Sequence, residues 1–168
     1  EKKNEIEVIS NQLSKYLSPQ LYQSIFSGEQ QVDIASKRKK LTVFFSDIVG
    51  FTSISDSLES EEITAMLNYY LTEMSVIALE HGGTIDKYVG DAIVIFFGDT
   101  DTAGVKQDAL NCVNMAITMQ QKMRELEKQW AQKFGLREPL KIRVGVNTGY
   151  CTVGNFGSED RLDYTVIG

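Results

Sequence analysis

The chain has 168 residues, 42% of them hydrophobic and 24% charged, with a net charge of −6. That balance fits one globular domain with a real core and excludes a disordered chain. The acid excess argues against nonspecific nucleic-acid binding, which needs a basic face, but leaves room for a nucleotide held by a few placed cations and a metal.

Residues 4 to about 26 carry Ile6, Ile9, Leu13, Tyr16 and Leu17 at three-to-four spacing, the period of a helix. Ser18 and Pro19 mark a fresh start, as N-cap and first helical residue. This segment suits a connecting helix or short coiled coil that passes on a signal from an upstream module, or equally a helix packed on its own domain. Residues 27–40, SGEQQVDIASKRKK, read as a linker ending in the basic run Lys37, Arg38, Lys39 and Lys40, ordinarily a solvated segment. The division expected is therefore 1–40 as signalling helix and linker and 41–168 as the domain proper.

A first strand is expected at Leu41–Ser46. A helix follows over roughly 53–81, with Ile63, Met66, Leu67, Tyr70, Leu71, Met74 and Ile77 on one face. It ends at Gly82 or Gly83, either able to take a left-handed cap. His81, the lone histidine, reads as a cap or surface residue rather than a ligand. Strands at Thr84–Tyr88 and Ala92–Phe97 form a hairpin through a short turn containing Gly90. A second helix spans about 103–134, its Met115, Met119 and Met123 belonging to the core. Strands at Lys141–Asn147 and Cys151–Phe156, separated by a turn at Thr148–Gly149, precede a last extended run at Leu162–Ile167. The order is α+β, a ferredoxin-like βαββαβ (palm-like) antiparallel sheet with helices on one face and a helix before it.

Cys112 and Cys151 are the only cysteines, too few for a disulfide scaffold or zinc cluster, and reduced thiols are expected. No apolar run approaches the 18 or so residues of a membrane span, and no secretory signal is visible. A cytoplasmic location is expected, compatible with a membrane segment elsewhere in a longer parent. Both ends look like cuts, the first inside a helical pattern and the last at YTVIG, which suggests part of a longer protein.

The chemistry gathers at two aspartates. Asp47 ends the apolar run Val43, Phe44, Phe45, and Asp91 opens the run Ile93, Val94, Ile95. In this topology the end of the first strand lies beside the start of the third, so the carboxylates should converge. Carboxylates held together repel unless a cation sits between them. Oxygen donors of this kind favour Mg²⁺ or Mn²⁺, and a two-metal site can activate a hydroxyl and clamp a leaving phosphate. The plain alternative is that each aspartate caps a turn and faces solvent. After Asp47, the turn IVGFT combines a glycine with a helix N-terminus, a natural phosphate cradle.

TVFFSDIVGFTSIS, GGTIDKYVGDAIVIFFG and KIRVGVNTGYCTVGNFGSEDRLDYTVIG together resemble the class III nucleotidyl cyclase catalytic domain over residues 41–168. The upstream LSKYLSPQLYQSI is similar to the segment that often precedes such domains in bacteria. The resemblance implies that Asp47 and Asp91, with the Ile48 carbonyl, bind two Mg²⁺ or Mn²⁺ ions per site. It implies that the amides of Val49, Gly50, Phe51 and Thr52 hold the β- and γ-phosphates and that Arg143 contacts the triphosphate. The other reading of Arg143 is an outward strand residue in a salt bridge. Lys87 matches the base-selecting lysine of adenylate cyclases, which donates to adenine N1, whereas guanine N1 carries a hydrogen. Thr165, with Val166 beside it, matches the second base-reading position, its hydroxyl accepting from the adenine amino group.

The family takes its metal and triphosphate residues from one subunit and its base-reading pair from the other. A homodimer with shared active sites is therefore implied, with ATP as substrate, as output module of a signalling protein with an upstream sensory domain. Threonine at 165 also resembles a subclass that includes bicarbonate-responsive cyclases. The family continues past the position of Gly168 into a helix supplying an asparagine and an arginine, so the competence of this stretch alone is open. The alternatives are a guanylate cyclase, which Lys87 disfavours, and a catalytically silent nucleotide-binding or dimerisation domain. A diguanylate cyclase would carry a GGDEF-type hairpin where this chain has KYVGD.

Overall fold

The computed structural model describes residues 2–29 and 35–168. Two helices lead, α1 (Lys2–Ser14) and α2 (Pro19–Phe26). As expected, Pro19 opens α2 and the Ser18 hydroxyl accepts the Leu21 amide at 3.3 Å. No residue of α1 is buried, and Ile6, Ile9 and Leu13 are all more than half exposed. The contact of α1 with α2 is a 2.6 Å hydrogen bond between the hydroxyls of Ser10 and Tyr22. In contrast, α2 is stapled to the domain by Gln20 Nε2, which donates to the Gly83 carbonyl at 3.2 Å.

β1 (Ser36–Ile48) begins five residues earlier than expected. The basic run is a strand rather than a linker, although Lys37, Arg38 and Lys40 are exposed as expected; residues 30–34 of that linker lie outside the described residues. The cause is β4 (Ile142–Gly157), one continuous strand where two strands and a turn were expected. It pairs with β1 in unbroken antiparallel register from Ile48↔Ile142 to Ser36↔Gly154. Thr148 and Gly149 do not turn, because they oppose Thr42 and Leu41, and the hydroxyls of Thr42 and Thr148 share a 2.7 Å hydrogen bond. Each strand supplies the backbone partners that justify the other's length. Lys39 gains an ion pair with Asp99, whose carboxylate also accepts the Tyr164 hydroxyl.

β2 (Thr84–Val89) and β3 (Ala92–Phe97) form the hairpin, and β5 (Leu162–Ile167) closes the chain at its expected limits. The sheet order is β2-β3-β1-β4-β5, every pairing antiparallel. The first four strands have the ferredoxin-like order, and β5 extends it. The helical stretch expected over 53–81 is two helices, α3 (Phe51–Asp56) and α4 (Ser60–Glu80). The break occurs where Glu59 caps α4 through a reciprocal capping box with Glu62. The second long helix likewise divides at Leu126 into α5 (Val105–Glu125) and α6 (Glu127–Phe134).

α4 and α5 cover one sheet face, burying Phe44, Ile93, Ile95, Met74, Met115 and Met119 completely or nearly so. A smaller cluster of Leu41, Phe96 and Val153 fills the other face. His81 caps α4, its Nδ1 2.8 Å from the Ile77 carbonyl. Both cysteines are free, and burial pushes the Cys112 thiol up to about 12. No helix among the described residues is long and apolar enough to cross a membrane.

Where β4 meets the start of β1, a Cβ on Gly154 would stand 2.2 Å from the Ala35 carbonyl oxygen and 2.6 Å from the Ser36 Cα. Both neighbours are backbone, so nothing flexible can give way. Gly154→Ala is expected to lower stability by about 1–3 kcal/mol, the usual cost of overpacking. Urea denaturation measures this, and an unchanged midpoint would contradict so close an approach.

Candidate functional site

The register of β1 and β3, Ser46↔Ile93, sets the end of one strand beside the start of the other. Ser46 and Ile48 point into the core, so by strand alternation Asp47 turns to the face without helices. Asp91 occupies the second position of the β2–β3 turn, after Gly90 at φ +59°. Its carboxylate accepts the Ile48 amide at 2.7 Å. The two aspartates therefore converge, tied through the backbone between them.

On its other side Asp47 is registered against Arg143 of β4. The guanidinium grips it with both prongs, Nε to Oδ1 at 2.8 Å and an Nη to Oδ2 at 2.7 Å. The Arg143 side chain is 70% exposed, so the arginine is an outward strand residue in a salt bridge, and its partner is Asp47 itself. The hydrogen bond from Arg143 holds the Asp47 carboxyl below the usual carboxylate range. Behind this pair lies Tyr70 of α4, fully buried, its hydroxyl against that of Ser46 without a well-formed hydrogen bond. Burial pushes its pKa up to about 12, with the charges of Asp91 and Asp47 adding to the effect. Sequence reasoning assigned Tyr70 to the core and missed what its hydroxyl faces.

No group of three or more His, Cys, Asp or Glu among the described residues could hold a metal. Two carboxylates and the Ile48 carbonyl leave most of an octahedral shell to other oxygens. That donor set fits Mg²⁺ or Mn²⁺ arriving with a polyphosphate, and not a permanently caged ion.

The turn after β1 is built as expected around Gly50, left-handed at φ +68°, which caps α3. A Cβ there would meet nothing, so glycine is needed for conformation rather than space. The Val49 amide is already bonded to the Lys141 carbonyl at 2.8 Å, leaving Gly50, Phe51 and Thr52 as the turn's remaining amides. Thr52 is exposed, and Phe51 packs partly into the core. A cavity of about 690 Å³ opens beside Val49 and Gly50, and brings up two cations, Arg137 and Lys141, that no sequence pattern marked.

A second cluster forms on β2 and β5. Ile85 pairs with Ile95, but the next paired residue is Lys87, opposite Val94, which makes Asp86 the extra residue of a β-bulge. Ile95 lies in the helix-covered core, and Val94, one residue along, takes the opposite face. Without the bulge Lys87 would oppose Ile93 and point under the helices. Asp86 reaches β5 and accepts the Thr165 hydroxyl at 2.6 Å and the Val166 amide. This joins the two edge strands of the sheet, so the sheet curls. Thr165 is buried and Lys87 exposed. Burial raises the Asp86 pKa, against the pull of Thr165, Lys87 and the Val166 amide. Asp86 and Lys87 line a cavity of about 310 Å³ that also touches Tyr16 and Leu21, and that Asp47, Asp91 and Arg143 do not line. Asp86 was missed because a bulge is defined by the partner strand.

The chain is similar to known proteins in sequence and in fold. The adenylate cyclase of Anabaena cylindrica is 34% identical over 165 residues, covering 95% of this chain and 30% of that protein. The chain spans less than a third of the length of the curated relatives it matches. The crystal structure of the adenylyl cyclase CyaB from P. aeruginosa is 58% identical, with a TM-score of 0.77, over 80% of this chain and 68% of that one. The guanylyl cyclase Cya2 is 41% identical with a TM-score of 0.73, over 80% of this chain and 66% of that one. The family model described as the adenylate and guanylate cyclase catalytic domain matches residues 34–168. With convergent aspartates, a glycine turn and a palm-like sheet in that order, the chain belongs to the adenylate and guanylate cyclase catalytic domain family.

Proposed function

We infer that this chain is the catalytic unit of an adenylate cyclase, converting ATP to 3′,5′-cyclic AMP and pyrophosphate. The ribose 3′-oxygen attacks the α-phosphorus, the bond to the β-phosphate oxygen breaks, and the hydroxyl proton is lost. Asp47, Asp91 and the Ile48 carbonyl would hold Mg²⁺ or Mn²⁺, which lowers the pKa of the 3′-hydroxyl and screens the triphosphate charge when bound. The amides of Gly50 to Thr52 receive phosphate oxygens. Arg143 offers the triphosphate the same two-pronged grip that it gives Asp47. Positioning and electrostatics then carry the reaction.

The observation that supports this reading best is the convergence of Asp47 and Asp91 through Ile48. The choice of ATP rests on Lys87, a donor for adenine N1, with Thr165 close by through Asp86. Lys87 and Thr165 would complete the site of a second copy, in a homodimer that needs both chains. The exposed helix α1 and the stapled helix α2 would connect to an upstream sensory module.

With Mn²⁺, the full-length protein is expected to make cyclic AMP from ATP at least about tenfold faster than cyclic GMP from GTP. A preference for GTP would overturn the role given to Lys87. Bicarbonate added to the same assay tests the response implied by Thr165.

A further inference from the structure

We propose that Asp86 sets the polarity of Thr165, turning its hydroxyl into an obligate acceptor and so making the base pocket selective for adenine. The proposal rests on the assignment of Lys87 and Thr165 as base-reading residues.

A threonine hydroxyl has one proton and two lone pairs, and left to itself it serves a donor or an acceptor equally well. Alone it could not tell the amino group of adenine from the carbonyl O6 of guanine. Here the proton is committed, because Thr165 Oγ1 donates to Asp86 Oδ2 at 2.6 Å. A carboxylate can only accept, and this one also takes the Val166 amide, which fixes its orientation. Thr165 is buried, so water does not compete freely for the bond. The Thr165 oxygen then presents lone pairs alone. They match the adenine 6-amino group and oppose guanine O6, while Lys87 matches adenine N1 and opposes the N1–H of guanine. A mismatch of this kind in a buried site discriminates strongly.

The bulge is the local device that allows it. The extra residue lets Asp86 reach β5 while Lys87, its chain neighbour, sits opposite Val94 on the face away from the helices. A bulge re-aims side chains in this way at the cost of one unpaired residue. The bond between edge strands could also be a simple structural staple, and the test separates the two roles.

In the full-length protein with Mn²⁺, Asp86→Asn keeps the size of the side chain but offers Thr165 either an amide donor or a carbonyl. The ratio of ATP to GTP activity is expected to fall about tenfold or more. The same shift should appear when ATP and GTP compete to displace a fluorescent nucleotide. Because a ratio is read, a partly unfolded population does not mimic the effect. Asp86→Ser, which can also donate or accept, serves as a second variant and should shift the ratio in the same direction. In a Thr165→Val background, Asp86→Asn should cause no further shift. If Asp86→Asn slows both substrates equally, or shifts the ratio as much without the Thr165 hydroxyl, the proposal fails and Asp86 is a staple. If Lys87→Ala and Thr165→Val leave the ratio unmoved, the base-reading assignment and the proposal fall together.

Discussion

Equal amounts of Asp47→Ala and Lys87→Ala proteins, each nearly inactive alone, are expected to recover about one quarter of wild-type activity when mixed. Random pairing makes about half the dimers mixed, and each mixed dimer has one site with both contributions intact. Alone, Asp47→Ala lacks a metal carboxylate in every site and should lose about 10²–10³ in kcat, the scale seen when one transition-state charge partner is removed. The expectation follows from where the clusters lie. Asp47 and Arg143 face each other near one end of the β1–β4 ladder, whereas Thr165 is registered on Gly154 near the other. The cavity beside Lys87 is lined by none of the three acidic-site residues Asp47, Asp91 and Arg143. No recovery, with mixed dimers verified by affinity tags, would mean that each chain builds its own site.

Arg143→Ala should produce two opposite effects. Turnover is expected to fall about 10²–10³-fold, because the pyrophosphate leaving group loses its two-pronged partner. Binding of Mn²⁺ without nucleotide, followed by paramagnetic relaxation, should become tighter. The reason is direct: both oxygens of Asp47 are now engaged by the guanidinium, and the substitution frees them. Arg143→Lys should restore little turnover, since an ammonium cannot reproduce the planar fork. Unchanged turnover in Arg143→Ala would reduce the arginine to a surface ion pair, a class that contributes little.

Much of this was legible locally. The hairpin strands and β5 announce themselves through β-branched and aromatic runs bounded by glycine, and the strand order alone brings Asp47 to Asp91. What was not legible depends on pairing across the sheet. Lys37 to Lys40 have no apolar alternation, and they form a strand only because Tyr150 to Val153 lie opposite. Thr148–Gly149 carries turn residues, yet Thr42 and Leu41 hold it extended. The Arg143–Asp47 grip joins residues 96 positions apart, and its register follows from the unforeseen length of β4. The division of the first long helix went unread because Glu59, an uncommon N-cap, does the capping beside more obvious serines.

The bulge at Asp86 also has a consequence for how the domain tolerates change in length. Deleting this one residue would leave a regular ladder with Lys87 still opposite Val94, but the tie from β2 to Thr165 and Val166 would be lost. Were Asp86 kept but paired regularly with Val94, Lys87 would oppose Ile93 and face the helix-covered interior, where an unpaired charge is very costly. One residue more than the partner strand needs thus lets the chain neighbours Asp86 and Lys87 line the same cavity, which a regular ladder would forbid by sending them to opposite faces.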